Sequence, residues 1–206
     1  MKSIIAVGGT ALLGKQVVFG QSDSIASNII LNKTKTTQGN VLVVYQSQFG
    51  STAEVAQGVA DVIAEGSSTV ETKHVSEVTD LSGYDKVVVG SAIQYDHWMP
   101  EMRKFVVKHQ EELKTKTVAY FFVCLTLSDP SEKAKQAANV YAEKIKQLTP
   151  EVNAQSIAGF AGVLDYSKIS WPAQIAMRMM MQIFGVKEGD YRDWVAIRTW
   201  ARKLRF

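Results

Sequence analysis

A loop rich in hydroxyl side chains follows the first strongly apolar segment after residue 40. In the stretch VVYQSQFGSTAEVAQ, residues 43–57, the side chains of Ser47, Ser51 and Thr52 surround Gly50. Glycine lets the backbone approach a ligand closely, and the free amides at the start of a following helix attract anions. This pattern predicts a phosphate site. The alternative is an ordinary connecting loop with a serine- and threonine-capped helix.

The composition of this loop also limits which phosphate it suits. The loop contains no lysine, whereas nucleoside triphosphate loops use a lysine to hold the terminal phosphates. Hydroxyl groups and backbone amides alone suit a single phosphate monoester, such as that of flavin mononucleotide (FMN). We therefore expect FMN as the cofactor. The candidate cofactor-binding residues here are Ser47, Gln48, Phe49, Gly50, Ser51 and Thr52.

A second loop combines aromatic and polar side chains directly after the apolar run KVVVG, which ends at Gly90. An aromatic side chain stacked on a flavin ring contributes roughly 0.5–1.5 kcal/mol beyond its burial. His97 is a candidate proton donor near a reduced flavin, although a single histidine in a loop is more often only solvated. The cofactor candidates in this loop are Ala92, Ile93, Gln94, Tyr95 and Trp98, of which Tyr95 or Trp98 would stack.

A third loop follows the apolar strand that ends near Cys124. Its backbone amides are candidates for hydrogen bonds to the edge of a flavin ring, and we assign Leu125, Thr126 and Asp129 to the site. Cys124 itself lies within the apolar run, so we interpret it as a small core residue and not as a redox thiol.

The stretch WPAQIAMRMMMQIF, residues 171–184, contains four methionines around Arg178, its only charged residue. Apolar side chains lie almost all round this predicted helix, which therefore needs burial on more than one side. One interpretation is a core helix. The other is an adaptable surface for a quinone, a tetrapyrrole, a second subunit or the membrane face.

Apolar strands alternate with amphipathic helices from residue 40 onward, which predicts a doubly wound α/β fold with a parallel sheet and helices on both faces. Ligands of such sheets bind beyond the carboxyl ends of the strands, where the three loops lie. Ser128 to Pro130 are predicted to cap and begin the third helix. We expect strands at 40–45, 70–75, 86–90, 117–125 and 156–163, and helices at 52–64, 100–113, 131–148, 171–184 and 190–204.

The composition narrows the classes of function. The 206 residues are 46% apolar, which fits one domain with a sizeable core. A single cysteine excludes an intramolecular disulfide and any multi-cysteine metal site, and the three histidines lack zinc-type spacing. The net charge of +3 is too small to indicate nucleic-acid binding, and it favours anionic ligands or anionic membrane surfaces.

Residues 1–38 differ from the rest of the chain. A basic start and the apolar run Ile4 to Leu13 have the length of a signal-peptide core, and the run is too short to span a bilayer. We expect an N-terminal extension with a signal or membrane-targeting role, or else a surface tail, followed by an FMN-binding domain at 39–206. This favours a membrane-associated location. The cytoplasm is the alternative, because residues 1–15 lack a twin arginine.

Residues 40 to about 160 resemble a flavodoxin. The loop SQFGST is similar to the phosphate-binding pattern of that family, T/S-x-T-G-x-T, with Phe49 in place of the central threonine. Leu125 and Leu127 stand where the family carries an aromatic residue after its fourth strand. The resemblance implies FMN, electron transfer and a five-stranded parallel sheet in the order 2-1-3-4-5. It does not imply a ring sandwiched between two aromatic side chains.

Two longer segments resemble the menaquinone-dependent protoporphyrinogen IX dehydrogenases, a branch of the flavodoxin superfamily. GSAIQYDHWMPEMRKFVVKHQEEL is similar to that branch's pattern G-x-S-I-x-Y-G-H…F-V-K-K-H, and AGVLDYSKISWPAQIAMRMMMQIFG to A-G-A-L-x-Y…W…F-M-I-K-x-I-M. The resemblance covers residues 40–205. It implies an oxidoreductase of haem biosynthesis that passes electrons from a small anionic organic donor, such as a porphyrinogen, through FMN to a quinone.

The alternative is a non-catalytic electron carrier of the flavodoxin type. As a family, such carriers are strongly acidic, whereas this chain is basic, and this difference favours the enzyme. A reductase with a nicotinamide donor ranks lower because no second nucleotide site is evident. Peripheral membrane contact and a homo-oligomer are left open.

Overall fold

The computed structural model describes residues 39–66, 69–168, 170–204 and 206. The targeting segment predicted for residues 1–38 lies outside the described residues. The strands are β1 (Val41–Gln46), β2 (Val70–His74), β3 (Lys86–Gln94), β4 (His97–Trp98), β5 (Thr117–Cys124), β6 (Ser156–Ala161), β7 (Val163–Leu164) and β8 (Gly189–Asp190). The helices are α1 (Ser51–Ala64), α2 (Pro100–Lys108), α3 (Gln110–Leu113), α4 (Glu132–Leu148), α5 (Trp171–Phe184) and α6 (Trp194–Lys203), and 3-10 turns lie at 75–77, 125–128 and 166–168.

Five of these strands form a parallel sheet in the order β2-β1-β3-β5-β6. Counted as the five parallel strands along the chain, this is the predicted order 2-1-3-4-5, and the doubly wound prediction is confirmed. In the middle of the sheet Val43 lies between Thr72 and Val88, and Val88 pairs in turn with Ala119. The central strands are buried on both faces, which is why they are continuous β-branched runs and not alternating ones.

Each face of the sheet carries its own core because successive side chains of a strand point to opposite sides. Leu42 and Val44 of β1 pack into a core with residues of α2 and α4, whereas Val41 and Val43 pack into a second core with residues of α1 and α6. Helix α6 rests against α1 on this second face, where Trp194 contacts Gly58. The helices packed on the two faces hold the ends of the strands, and the loops that follow them, in fixed positions.

A glycine in the central strand allows two neighbouring backbones to accommodate a large ring. Gly90 of β3 pairs with Phe121 of β5, and a Cβ atom on Gly90 would lie 1.9 Å from Cζ of that phenylalanine. No side chain fits this position unless the ring moves. The fully buried Phe121 therefore occupies the volume that glycine leaves free.

The structure differs from the prediction where the third strand ends. Strand β3 continues four residues beyond Gly90 and turns back as a hairpin, in which Ile93 pairs with Trp98 and Gln94 with His97. The turn residues Tyr95 and Asp96 have positive φ angles of 48° and 61°. Such tight turns usually contain Asn-Gly or a similar pair, so the sequence lacks the usual hairpin signal.

Several predicted element boundaries are wrong. Ser131, and not Ser128, caps α4, because its Oγ accepts a hydrogen bond from the amide of Ala134 at 3.3 Å. Ser128 instead ends a 3-10 turn and donates to the carbonyl of Leu125 at 2.7 Å. The predicted helix at 100–113 is divided at His109, the fifth strand ends at Ala161, and Asp193 caps α6. Among the described residues, no helix has both the length and the apolarity to cross a bilayer.

Candidate functional site

Gly50 shapes the loop between β1 and α1. It stands at the N-cap of α1 with φ 94° and ψ −26°, a left-handed conformation that favours glycine. Its amide donates to Oγ of Ser47 at 3.0 Å, and its carbonyl accepts from the amide of Glu54 at 3.1 Å. The loop is thus closed on itself, and the first turn of α1 presents amides that lack partners within the helix.

Thr52 carries an unusual hydroxyl group at this helix start. The residue is fully buried, and its Oγ1 has no hydrogen-bond partner among the described residues. A buried hydroxyl without a partner costs about 1–3 kcal/mol, so such groups call for an explanation. A phosphate oxygen bound at the N-terminus of α1 would accept this hydrogen bond, and the residues present therefore fit the phosphate end of FMN.

A cavity of about 130 Å³ lies beside this loop. The first and third predicted loops meet there, because Phe49 and Ser51 of the first and Leu125 of the third belong to its wall. A larger cavity of about 590 Å³ lies between α4 and β6 and contains none of the predicted site residues. The wall of the smaller cavity includes Phe49, Ser51, Leu125, Lys168, Met177 and Arg192.

The hairpin of β3 and β4 forms the second part of the site. The side-chain amide of Gln94 donates to Oε1 of Gln48 at 3.1 Å, which joins the second predicted loop to the first. Asp96 at the tip is tied to α4, since its carboxylate accepts from the hydroxyl of Tyr141 at 2.8 Å and its carbonyl from Lys144 at 3.0 Å. Ala92 and Ile93 are half-buried in the strand below.

The two aromatic candidates of this hairpin have different environments. The side chain of Tyr95 is 90% exposed at the tip, free to cover a ligand. Trp98 is 2% exposed, and its ring packs edge-on against Tyr120 with 5.4 Å between ring centres. Burial corrects the prediction for Trp98, which supports the hairpin from the core and cannot stack on a cofactor. His97 is exposed, and its Nδ1 lies 2.9 Å from the carbonyl of Tyr95.

The third loop is a 3-10 turn that follows Cys124. Leu125 is half-buried and packs against a small cluster formed by Leu164, Tyr166 and Met181, while Thr126 is exposed. Asp129 lies at the far end, where its carboxylate accepts from the amide of Ser131 at 3.2 Å. This turn contains no aromatic side chain, so it offers backbone groups and not a stacking ring.

Burial of Cys124 raises the pKa of its thiol to about 11. At neutral pH the group is therefore almost entirely a thiol, the form that is neither a good nucleophile nor a metal ligand. This agrees with the interpretation of Cys124 as a core residue.

Arg192 lines the cavity beside the Gly50 loop, although no sequence pattern assigned it to the cofactor site. Its guanidinium contacts Glu54 of α1 at 2.6 Å and Asp190 at 2.7 Å, and it lies 4.8 Å from the ring centre of Trp194. These two carboxylates raise the pKa of Arg192, whose side chain is 9% exposed. Strands β7 and β8 pair in a small antiparallel sheet. Through Asp190 and Glu54, Arg192 connects this sheet to the first turn of α1.

Replacing Thr52 with valine tests the unpartnered hydroxyl through two opposite effects. Valine has nearly the same shape, so loss of the unsatisfied group should stabilise the ligand-free protein by about 1 kcal/mol. The same change should weaken FMN binding about tenfold, because a hydrogen bond to a charged phosphate is lost. Urea unfolding and an FMN titration measure the two effects. If Thr52→Val lowered the stability of the ligand-free protein as well as the FMN affinity, the hydroxyl would have a hydrogen-bond partner within the protein.

The doubly wound sheet, with its cluster of loops at the carboxyl ends of the strands, defines a flavodoxin-like protein. Residues 42–190 match the family model described as "Flavodoxin domain", and the chain belongs to this family. The predicted resemblance to flavodoxins is thereby confirmed.

Two curated relatives carry the same name. The chain is 26% identical over 170 residues to "Protoporphyrinogen IX dehydrogenase [quinone]" of Escherichia coli (strain K12). The aligned region covers 79% of this chain and 93% of the relative. The chain is 28% identical over 173 residues to the protein of that name from Leishmania major, covering 78% and 72% of the two chains. The predicted resemblance to this branch is confirmed.

A solved structure shares the fold. Rubredoxin oxygen:oxidoreductase from Desulfovibrio gigas superposes with a TM-score of 0.50 at 12% identity, covering 80% of this chain and 35% of that chain. A flavoprotein from Lactobacillus acidophilus NCFM, solved in complex with FMN, gives a TM-score of 0.44 at 14% identity, covering 64% and 96%.

Proposed function

We propose that this chain is an FMN-dependent oxidoreductase that passes electrons from a reduced organic donor to a quinone. The observation that carries the proposal is the buried, unpartnered hydroxyl of Thr52 beneath the left-handed Gly50, at the start of a helix. A helix N-terminus alone is a common feature. A fully buried oxygen that lacks a partner there points to a ligand with an acceptor oxygen.

The three loops divide the work of binding. The first loop would hold the phosphate through Ser47, Ser51, Thr52 and backbone amides, with Gln48, Phe49 and Gly50 shaping it. The hairpin would cover one ring face with Tyr95, while backbone groups of Leu125, Thr126 and Asp129 would meet the ring edge. Bound FMN supplies the electron-accepting and electron-donating chemistry, and the protein supplies position and surroundings.

We base the proposed electron donor and acceptor on the names of the relatives and on the net charge of the chain. The name that the relatives share joins a porphyrinogen to a quinone, and the matched region covers 93% of the Escherichia coli protein. A porphyrinogen is a small anionic molecule, and the net charge of +3 suits an anionic partner better than a basic one. The alternative is a flavodoxin-type carrier that donates to proteins and has no substrate of its own.

Two measurements separate these functions. The purified full-length protein should show flavin absorbance, or gain it on addition of FMN. It should then oxidise protoporphyrinogen IX with a menaquinone analogue over many turnovers. Bound flavin without turnover would favour the carrier. Failure to bind FMN at all would overturn both.

Helix α5 leaves an apolar stripe on the surface. Trp171, Ile175, Met179 and Ile183 follow one another at four-residue intervals and are 74%, 54%, 65% and 82% exposed. The opposite side of the helix is held by Met181, which is buried against Leu164 and Tyr166. Residues four apart share a helix face, so the exposed side chains form one continuous strip.

We propose that this strip lies on an anionic membrane surface. Helix α5 carries Arg178 and no acidic residue, and the exposed Lys187 follows it in sequence. Apolar side chains beside cations are typical of helices that bind in the plane of the interface. A peripheral membrane location would also bring the site close to lipid-soluble quinones.

Replacing Ile183 with glutamate should reduce binding to vesicles that contain anionic lipid by about tenfold, because a charge enters the apolar strip. Flotation of the full chain with anionic and neutral vesicles measures this. Val195, 75% exposed on α6, gives the matched control Val195→Glu, which should bind like the wild type. Unchanged binding of Ile183→Glu would contradict the proposal. A concentration-dependent dimer that this variant abolishes would instead assign the strip to a second copy.

A further inference from the structure

Two cations line the cavity beside the predicted phosphate loop, and only one of them has carboxylate partners. Arg192 is engaged by Glu54 at 2.6 Å and by Asp190 at 2.7 Å. The ammonium group of Lys168 makes no hydrogen bond or ion pair within the described residues. Lys168 is therefore the cation that remains available to an anion in this cavity.

Lys168 lies directly beside the turn that begins α1. Its Nζ is 3.7 Å from the point that a Cβ atom on Gly50 would occupy. The lysine belongs to the 3-10 turn Tyr166–Lys168, which follows β7 in the chain. The ammonium group thus approaches the phosphate loop from a part of the chain more than 100 residues away in sequence.

The segment that carries Lys168 is anchored. The amide of Tyr166 donates to the carboxylate of Glu188 at 2.9 Å, and its ring is 5% exposed. The guanidinium of Arg178 lies 4.1 Å from the centre of that ring, a cation–π contact. These contacts fix the turn, so that only the flexible lysine side chain needs to order when an anion binds.

The local charges explain why a cation is useful there. Glu54 and Asp165 line the same cavity and would repel a phosphate dianion. Arg192 offsets the charge of Glu54. Asp165 remains ionised, because hydrogen bonds from the hydroxyl and amide of Ser167 hold the pKa of its carboxyl below the usual range. The charge of Lys168 also lowers the pKa of Asp165, so the ammonium group lies close enough to this carboxylate to offset its repulsion of a phosphate.

We propose that Lys168 binds the terminal phosphate of the flavin and makes the site selective for FMN over riboflavin. This inference rests on the proposed FMN-dependent function. The loop that contains Gly50 would supply hydroxyl groups and amides, and Lys168 would supply the positive charge that this loop lacks. A cation contributes through charge pairing, so its effect on affinity should decline with rising salt concentration.

The test compares FMN with riboflavin on the full-length protein after removal of any bound flavin, by quenching of flavin fluorescence. In Lys168→Met the affinity for FMN should fall about tenfold, as expected for loss of a partly exposed charge-assisted contact, while that for riboflavin changes less than about twofold. The salt dependence of FMN binding should become weaker. Lys168→Arg should retain most of the selectivity, since it keeps the charge. Lys203 is exposed on α6, and Lys203→Met removes an equal charge away from the cavity. This variant should behave like the wild type.

The outcomes distinguish this inference from the function on which it rests. A wild type that binds FMN well, together with an unchanged ratio of FMN to riboflavin affinity in Lys168→Met, would overturn the role of Lys168 alone. A wild type that binds no FMN would overturn the proposed function and this inference together. Equal losses for both flavins would also contradict it, because they would indicate general damage to the pocket.

Discussion

Replacing Gly50 with valine should reduce FMN affinity by up to about 100-fold, because a β-branched residue in the left-handed region costs up to about 3 kcal/mol. At φ 94° the strain comes from the backbone. The nearest atoms to a new Cβ are the tips of Lys168 and Glu54, at 3.7 and 4.0 Å, and these can move. The loop would relax to another conformation and lose the hydrogen bond from the Gly50 amide to Ser47. Fluorescence titration with FMN measures the loss.

A matched replacement separates this local effect from damage to the fold. Gly83 has no atom within 4 Å of a new Cβ and needs no positive φ, so Gly83→Val should bind FMN normally. Gly50→Asn should retain more affinity than Gly50→Val, because asparagine tolerates the left-handed region better. Normal binding by Gly50→Val would show that the cofactor site lies elsewhere.

Replacing Gly90 with alanine should destabilise the protein by about 3 kcal/mol or more, the upper range for overpacking a core. The added methyl group would lie 1.9 Å from Cζ of Phe121, and both residues are held in central strands. Because a typical domain has only about 5–15 kcal/mol of stability, this loss should shift the midpoint of urea unfolding clearly to a lower concentration. Urea unfolding followed by circular dichroism measures the change.

A second substitution tests the cause of this instability. Phe121→Leu removes the ring atoms that the new methyl group would meet, so Gly90→Ala should cost at least about 1 kcal/mol less in the Phe121→Leu background. Additive effects in the double variant would contradict the steric explanation. They would place the cost of Gly90→Ala in the backbone of β3.

The strands and the turn from β1 into α1 were predictable because their signals are local. β-branched runs such as VLVVY predict buried parallel strands, and Gly50 among hydroxyl residues marks a turn into a helix. The orientation of Trp98 was not predictable in this way. Its side chain points into the core only because β3 folds back at Tyr95 and Asp96, a turn whose residues carry no recognisable hairpin signal.

The arrangement of charged side chains around the cavity could not be predicted from local sequence patterns, for a different reason. Glu54 and Arg192 are 138 residues apart, and no periodicity connects residues that meet only through the order of strands and helices. The position of Lys168 beside Gly50 likewise depends on the turn that follows β7. Contacts of this kind emerge from the tertiary structure as a whole.

The ion pair between Glu54 and Arg192 also constrains when the cofactor can be captured. The loop with Gly50 and Glu54 is translated before its partner, because Arg192 emerges from the ribosome 138 residues after Glu54. Because chains fold as they are synthesised, the loop is without the ion pair from Arg192 until that residue has been translated. Flavin loading should therefore be a late event that follows closure of the domain.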